Sequence, residues 1–128
     1  MGQYTPEVFV RCDEWVIPVE FRDETNTIIN LTTEGYTEAT LTIRRKDTLT
    51  DTNDDRIIVQ KHDTSLSDPT NGIHTFTIAK TSTNVSAGIY PHGIVYQCDV
   101  QLKKSSGGPH STTPFEIQVV QDVTKTEP

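Results

Sequence analysis

Long apolar runs are missing from this chain of 128 residues. No stretch reaches the roughly 18 residues that a membrane-spanning helix needs, so a helical span is excluded. Aromatic residues make up 7% and the hydrophobic set 33%, both thin for a globular core. Basic residues are also in deficit, with 11 Lys and Arg against 18 Asp and Glu, a formal charge of −7. A surface of that sign repels phosphate, which disfavours nucleic acid and anionic lipid as partners. The small basic clusters Arg44-Arg45-Lys46 and Lys103-Lys104 fall at expected strand ends, where solvated charge is the ordinary state. Met1-Gly2-Gln3-Tyr4-Thr5-Pro6 has neither a basic start nor an apolar stretch. No secretory signal is read there, and a reducing cytoplasm is the expected site of synthesis.

Threonine is what the chain has in quantity, at 21 positions. Its γ-methyl on a β-branched frame suits half-buried strand positions, so the usable apolar surface exceeds the hydrophobic count. A chain of this length buries roughly two-thirds of its unfolded surface and stands as one domain, 1–128. Residues 1–6 and 121–128 are expected to be tails, flexible or bound to a partner.

Period-two alternation dominates, and no segment longer than about ten residues carries a 3.6-residue repeat. Strands are expected at Val8 to Cys12, Trp15 to Arg22, Ile28 to Thr32, Ala39 to Arg44, Arg56 to Lys61, Ile73 to Ile78, Ile94 to Leu102, and Phe115 to Val119. Trp15, Ile17, Val19 and Phe21 share one face; so do Ala39, Leu41 and Ile43, and so do Tyr96, Cys98, Val100 and Leu102. Pro18 cannot donate to a ladder, which puts its strand at a sheet edge or on a bulge. Turns are expected at 23–27, at 33–37 around Gly35, at 65–72 and at Ser105 to Gly108. One helical turn is expected within residues 80–87. About seven short strands with turns between them give an all-β, antiparallel β-sandwich.

The residues that carry chemistry form no convincing set. Asp51-Thr52-Asn53-Asp54-Asp55 begins like a calcium loop, but Arg56 stands where the turn glycine belongs and His62 where the bidentate Glu belongs. His62, His74, His92 and His110 have no metal-ligand spacing. His74 shares a face with Phe76 and Ile78 and reads as a core-edge histidine. Cys12 and Cys98 are expected to be thiols packed as small hydrophobes, with an immunoglobulin-type bridge as the alternative. The sequons at Asn30 and Asn84 carry no weight without export. Neither a cofactor nor a catalytic residue is expected. Thr40 and Thr42, and likewise Thr75 and Thr77, would line sheet faces as polar ladders that are cheap to desolvate against another protein.

The order of several motifs resembles a known family. Trp15-Val16-Ile17-Pro18-Val19-Glu20-Phe21-Arg22-Asp23 followed by Ile29-Asn30-Leu31-Thr32 is similar to the opening of immunoglobulin-like domains in bacteriophage tail and baseplate proteins, the N-terminal domains of baseplate upper proteins among them. Ala39 to Arg44, Asn71-Gly72 leading into Ile73 to Ile78, Ala87-Gly88-Ile89-Tyr90, and the closing pair Asp99 to Leu102 and Pro114 to Val119 continue the likeness over residues 14–124. Pro91-His92-Gly93 departs from it as an insertion.

The resemblance implies a non-enzymatic virion structural protein, an immunoglobulin-like adaptor assembled in the host cytoplasm into tail, baseplate or neck. Its partners would be other phage virion proteins and further copies of itself within a symmetric assembly. A capsid decoration protein of the same fold is the second expectation. The 47–55 loop, with Asp47, Asp51, Asn53, Asp54 and Asp55, is the expected docking element, being long, polar and dispensable to the core. A carbohydrate-binding module for host attachment would need exposed aromatics. Alternation turns Trp15 and Tyr96 inward and leaves Tyr36 and Tyr90 for that role.

Overall fold

The computed structural model describes residues 7–45, 57–89, 93–104, 109–111 and 114–121. Eight strands appear among them: β1 (Glu7–Val10), β2 (Trp15–Glu20), β3 (Tyr36–Arg45), β4 (Ile57–Asp63), β5 (Ile73–Ile78), β6 (Ile94–Lys104), β7 (Pro109–Ser111) and β8 (Phe115–Val120). The larger sheet runs β1-β8-β6-β3-β4, with β7 also paired to β6; β2 and β5 form a separate two-stranded sheet. The inward faces of both sheets feed one hydrophobic cluster.

Alternation accounts for that cluster. Ala39, Leu41 and Ile43 of β3 are buried, and so are Tyr96, Cys98, Val100 and Leu102 of β6. The small sheet supplies Trp15, Ile17, Phe76 and Ile78 from the other side. β3 and β6 lie antiparallel with Leu41 opposite Val100 and Ile43 opposite Cys98, so each core residue has a core neighbour across the ladder. The arrangement is all-β, as the period-two pattern requires.

Three expectations need correction. The pairing is not wholly antiparallel, because β1 runs parallel to β8, with Phe9 opposite Val119. The chain then turns at Arg11–Glu14 and crosses to the small sheet, which takes β1 out of any hairpin with β2. Residues 28–32 are not a strand, and residues 33–37 are not a free turn. Asn30 accepts a hydrogen bond from the Thr33 N–H at 3.1 Å and caps a single helical turn, α1 (Leu31–Glu34), that buries Leu31. Gly35 ends it in the left-handed region, at φ 87°. An Asn side chain that satisfies a backbone donor locally outcompetes the ladder there. Cys12, finally, is only half-buried. It occupies the third position of the turn closed by Asp13 N–H to the Val10 carbonyl, at φ 70°, where glycine is the usual tenant.

The turn expected at 65–72 contains a 3-10 turn at Pro69–Asn71 with Gly72 left-handed after it, and a second 3-10 turn spans Lys80–Ser82. The β1–β2 crossover is fixed by Thr83, fully buried, whose hydroxyl donates to the Asp13 carbonyl at 2.7 Å. The turn expected at 105–108 lies outside the described residues, but the strands on either side of it pair, Lys103 opposite Pro109.

Candidate functional site

The outer face of the larger sheet is one candidate surface. Thr40 and Thr42 stand on β3 between β4 and β6, opposite His62 and Gln60 on one side and Gln101 and Asp99 on the other. Thr40 Oγ1 lies 2.7 Å from His62 Nδ1, and Gln60 Nε2 donates to Thr42 Oγ1 at 3.1 Å. His62 Nε2 reaches Glu38 at 3.1 Å. The threonine row seen in the sequence is therefore tied into cross-strand pairs. Asp99 sits half-buried on the same face: burial pushes its carboxyl up from the usual range, against the pull of the Arg44 guanidinium.

Glu38, His62 and Thr40 together have the parts of an acid–imidazole–hydroxyl relay. β3 pairs with β4 and β6, so most of its backbone N–H groups are used in ladders. What the arrangement can do is present a hydrogen-bonding surface. Among the described residues no group of three or more His, Cys, Asp or Glu is placed to hold a metal ion.

A second cluster closes the open side between the sheets. His74 on β5 is 3% exposed, its ring set edge-on against Phe76 with centroids 4.6 Å apart. Its Nδ1 accepts the Ser67 N–H at 3.1 Å, so the ring proton is on Nε2, which lies 2.7 Å from Asp63 Oδ2 on β4. The other oxygen of Asp63 meets Lys61 Nζ at 3.1 Å. A solvent-open cleft of about 330 Å³ lies beside the pair, lined by residues 62–67 and His74. Both ring nitrogens are engaged, and the Ser67 hydroxyl accepts the Thr75 N–H at 3.0 Å, so His74 clasps the two sheets together. The core-edge reading of His74 agrees with this. Its partners Asp63 and Ser67 were not legible, since nothing in their spacing marks them.

Partial burial raises the Asp63 carboxyl, but the hydrogen bonds from His74 and Lys61 outweigh it and hold the group below its ordinary 3.8. A lowered carboxyl contributes stability that is complete above the unfolded-state value and disappears as pH falls through the folded one. Denaturation midpoints measured down the acid limb are therefore expected to fall below about pH 4, and to fall less steeply in Asp63→Asn. Equal slopes in the two proteins would remove the clasp from the account.

Both cysteines are free. Burial pushes the Cys98 thiol up to about 12, so it carries no thiolate near neutrality. Cys12 is half-buried, with Sγ 3.7 Å from Asn84 Oδ1. A thiol reagent counted by intact mass is expected to modify Cys12 in the native protein and Cys98 only on unfolding.

The remaining sites from the sequence divide simply. Asp47, Asp51, Asn53, Asp54, Asp55 and Tyr90 lie outside the described residues. Tyr36 is half-buried against the core, with Lys104 Nζ 5.1 Å from its ring centroid.

Strand edges are guarded. Pro18 faces Thr75, whose N–H turns to Ser67, so the Pro18 nitrogen faces the free edge of β2 and removes a donor from it. Ile73 of β5 exchanges two backbone bonds with Asp68 at 3.1 Å. β4 carries Lys61 and Asp63 on its core side, opposite Leu41 and Ala39, and β1 is four residues long. Each device disfavours addition of a foreign strand. No family model, curated protein or solved structure matches the chain.

Proposed function

We propose that the chain is an immunoglobulin-like docking domain serving as a non-enzymatic structural protein of a bacteriophage virion, in tail, baseplate or neck. One observation carries the immunoglobulin-like part: the Tyr96 hydroxyl donates to the Ser86 carbonyl at 2.6 Å, with Tyr96 two residues before Cys98 on β6. That resembles the tyrosine corner of immunoglobulin-like sandwiches. The strand order agrees with it. On this reading β2 and β5 would be the B and E strands, and β3, β4, β6 and β8 C, C′, F and G. On the same reading Cys98 would hold the position of the second bridge cysteine, with Trp15 and Ile17 of β2 packed inward where the first would stand.

The virion assignment rests on the ordered motifs between residues 14 and 124. Guarded edges and a polar, cross-linked outer face support docking between preformed surfaces. Function as a capsid decoration protein would use the same surfaces. Proteomics and cryo-EM of particles purified from the encoding phage distinguish the two: density for this fold in the tail or neck is expected, density on the outer shell would move the assignment to decoration, and absence from particles would overturn it.

A further inference from the structure

We infer that residues 64–68 form a strap over the edge of β5 and that protonation of His74 releases it. The strap is held to β5 at three places. Asp68 and Ile73 exchange backbone hydrogen bonds, the Ser67 hydroxyl accepts the Thr75 N–H, and the Ser67 N–H donates to His74 Nδ1. Only the last depends on a titratable group. With the ring neutral, Nδ1 is an acceptor and Nε2 a donor, which suits Ser67 and Asp63 together. A second proton must go to Nδ1. It sets two N–H donors against each other across 3.1 Å and removes the acceptor that holds Ser67.

The charged surroundings decide which contact gives way. On β4, Asp63 lies 2.7 Å from Nε2 and attracts the imidazolium, while Lys61 shares that carboxylate through its other oxygen. His62 points to the opposite face of β4 and is engaged by Glu38 and Thr40. In the strap, Asp68 accepts from the Asn71 side chain. Across the small sheet β2 sets Val19 opposite His74, with Glu20 alternating to the far face. The ring therefore stays with Asp63, and the strap is the contact that is lost. Since the strap is what guards the β5 edge, acid would bare unpaired backbone at Thr75, leaving the inter-sheet clasp in place. His74 also lines the solvent-open cleft beside the strap.

Amide exchange resolved by residue, corrected for the intrinsic pH dependence, tests this together with the ring ¹⁵N shifts of His74. As the pH is lowered, protection at Ser67 and Thr75 is expected to fall about tenfold, the scale of one hydrogen bond, in step with the change in the ring ¹⁵N shifts. Protection at Leu41 and Val100 should hold. In His74→Gln the pH dependence at Ser67 and Thr75 should vanish. Asp63→Asn, which keeps the ring but withdraws the carboxylate, should move the release to lower pH. Flat protection at Ser67 while the ring titrates would overturn the inference, as would an unchanged pH dependence in His74→Gln.

Discussion

Gly72→Ala is expected to cost roughly 3 kcal/mol, the sum of a left-handed backbone and a crowded Cβ. Gly72 has φ 71°, which alone costs an L-residue about 1 kcal/mol. A Cβ there would lie 2.5 Å from the Ile29 carbonyl oxygen and 2.7 Å from Ile28 Cγ2. The first of these is backbone, so relief requires the 21–29 loop to move. That loop is anchored at the same place, since Phe21 N–H donates to the Gly72 carbonyl at 2.8 Å and Ile29 N–H to the Phe21 carbonyl at 3.0 Å. Overpacking of this kind adds about 1–3 kcal/mol. Against a typical 5–15 kcal/mol of total stability the loss is severe, a fall in melting temperature on the order of 10 °C. Gly35→Ala supplies the control. Its φ is 87° but nothing lies within 4 Å of the added carbon, so only the conformational part, about 1 kcal/mol, should appear. Equal losses in the two variants would show that crowding at Gly72 is absent.

How much of this was legible depended on whether a residue acts through periodicity or through partners far along the chain. Alternation marked the inward rows of β2, β3, β5, β6 and β8, and with them the burial of Trp15, Phe76 and Tyr96. It could not mark α1, because a single capped turn of four residues has no period; only the Asn30 side chain decides it. Nor could it give strand order. The parallel pairing of β1 with β8 joins residues more than a hundred positions apart, and nothing in Glu7–Val10 records its direction. The spacing Tyr96-x-Cys98 was present in the sequence, yet the hydroxyl's destination at Ser86 gives it meaning. The same holds for the clasp. His74 announced burial by its place beside Phe76, whereas Asp63 and Ser67 are ordinary loop-edge residues until the sheets close.

Trp15→Ala is expected to be the most damaging single change, about 3–5 kcal/mol from lost burial and the cavity it leaves, enough to unfold a chain of modest stability. Trp15 is 1% exposed at the start of β2, where the chain has just crossed between sheets. Its ring meets Phe9 of β1 with centroids 5.5 Å apart, and its indole N–H donates to the Val10 carbonyl at 2.8 Å. One side chain thus fills the core of the small sheet and fastens the edge strand of the large one. Trp15→Phe separates those roles. Phenylalanine keeps most of the apolar body but cannot donate, and the Val10 carbonyl still receives Asp13 N–H at 3.2 Å, so no acceptor is orphaned. A loss of about 2 kcal/mol is expected, combining a smaller ring with one hydrogen bond. Exchange at Arg11, whose N–H bonds the Val120 carbonyl at 2.9 Å, should quicken more than exchange at Leu41. As the only tryptophan, Trp15 reports on itself: native emission should be blue-shifted and move red in step with loss of strand circular dichroism. A Trp15→Ala protein that melts at the wild-type temperature would show that the crossover is held elsewhere. In that case Thr83, whose hydroxyl bonds the Asp13 carbonyl at the same crossing, would be the first residue to test.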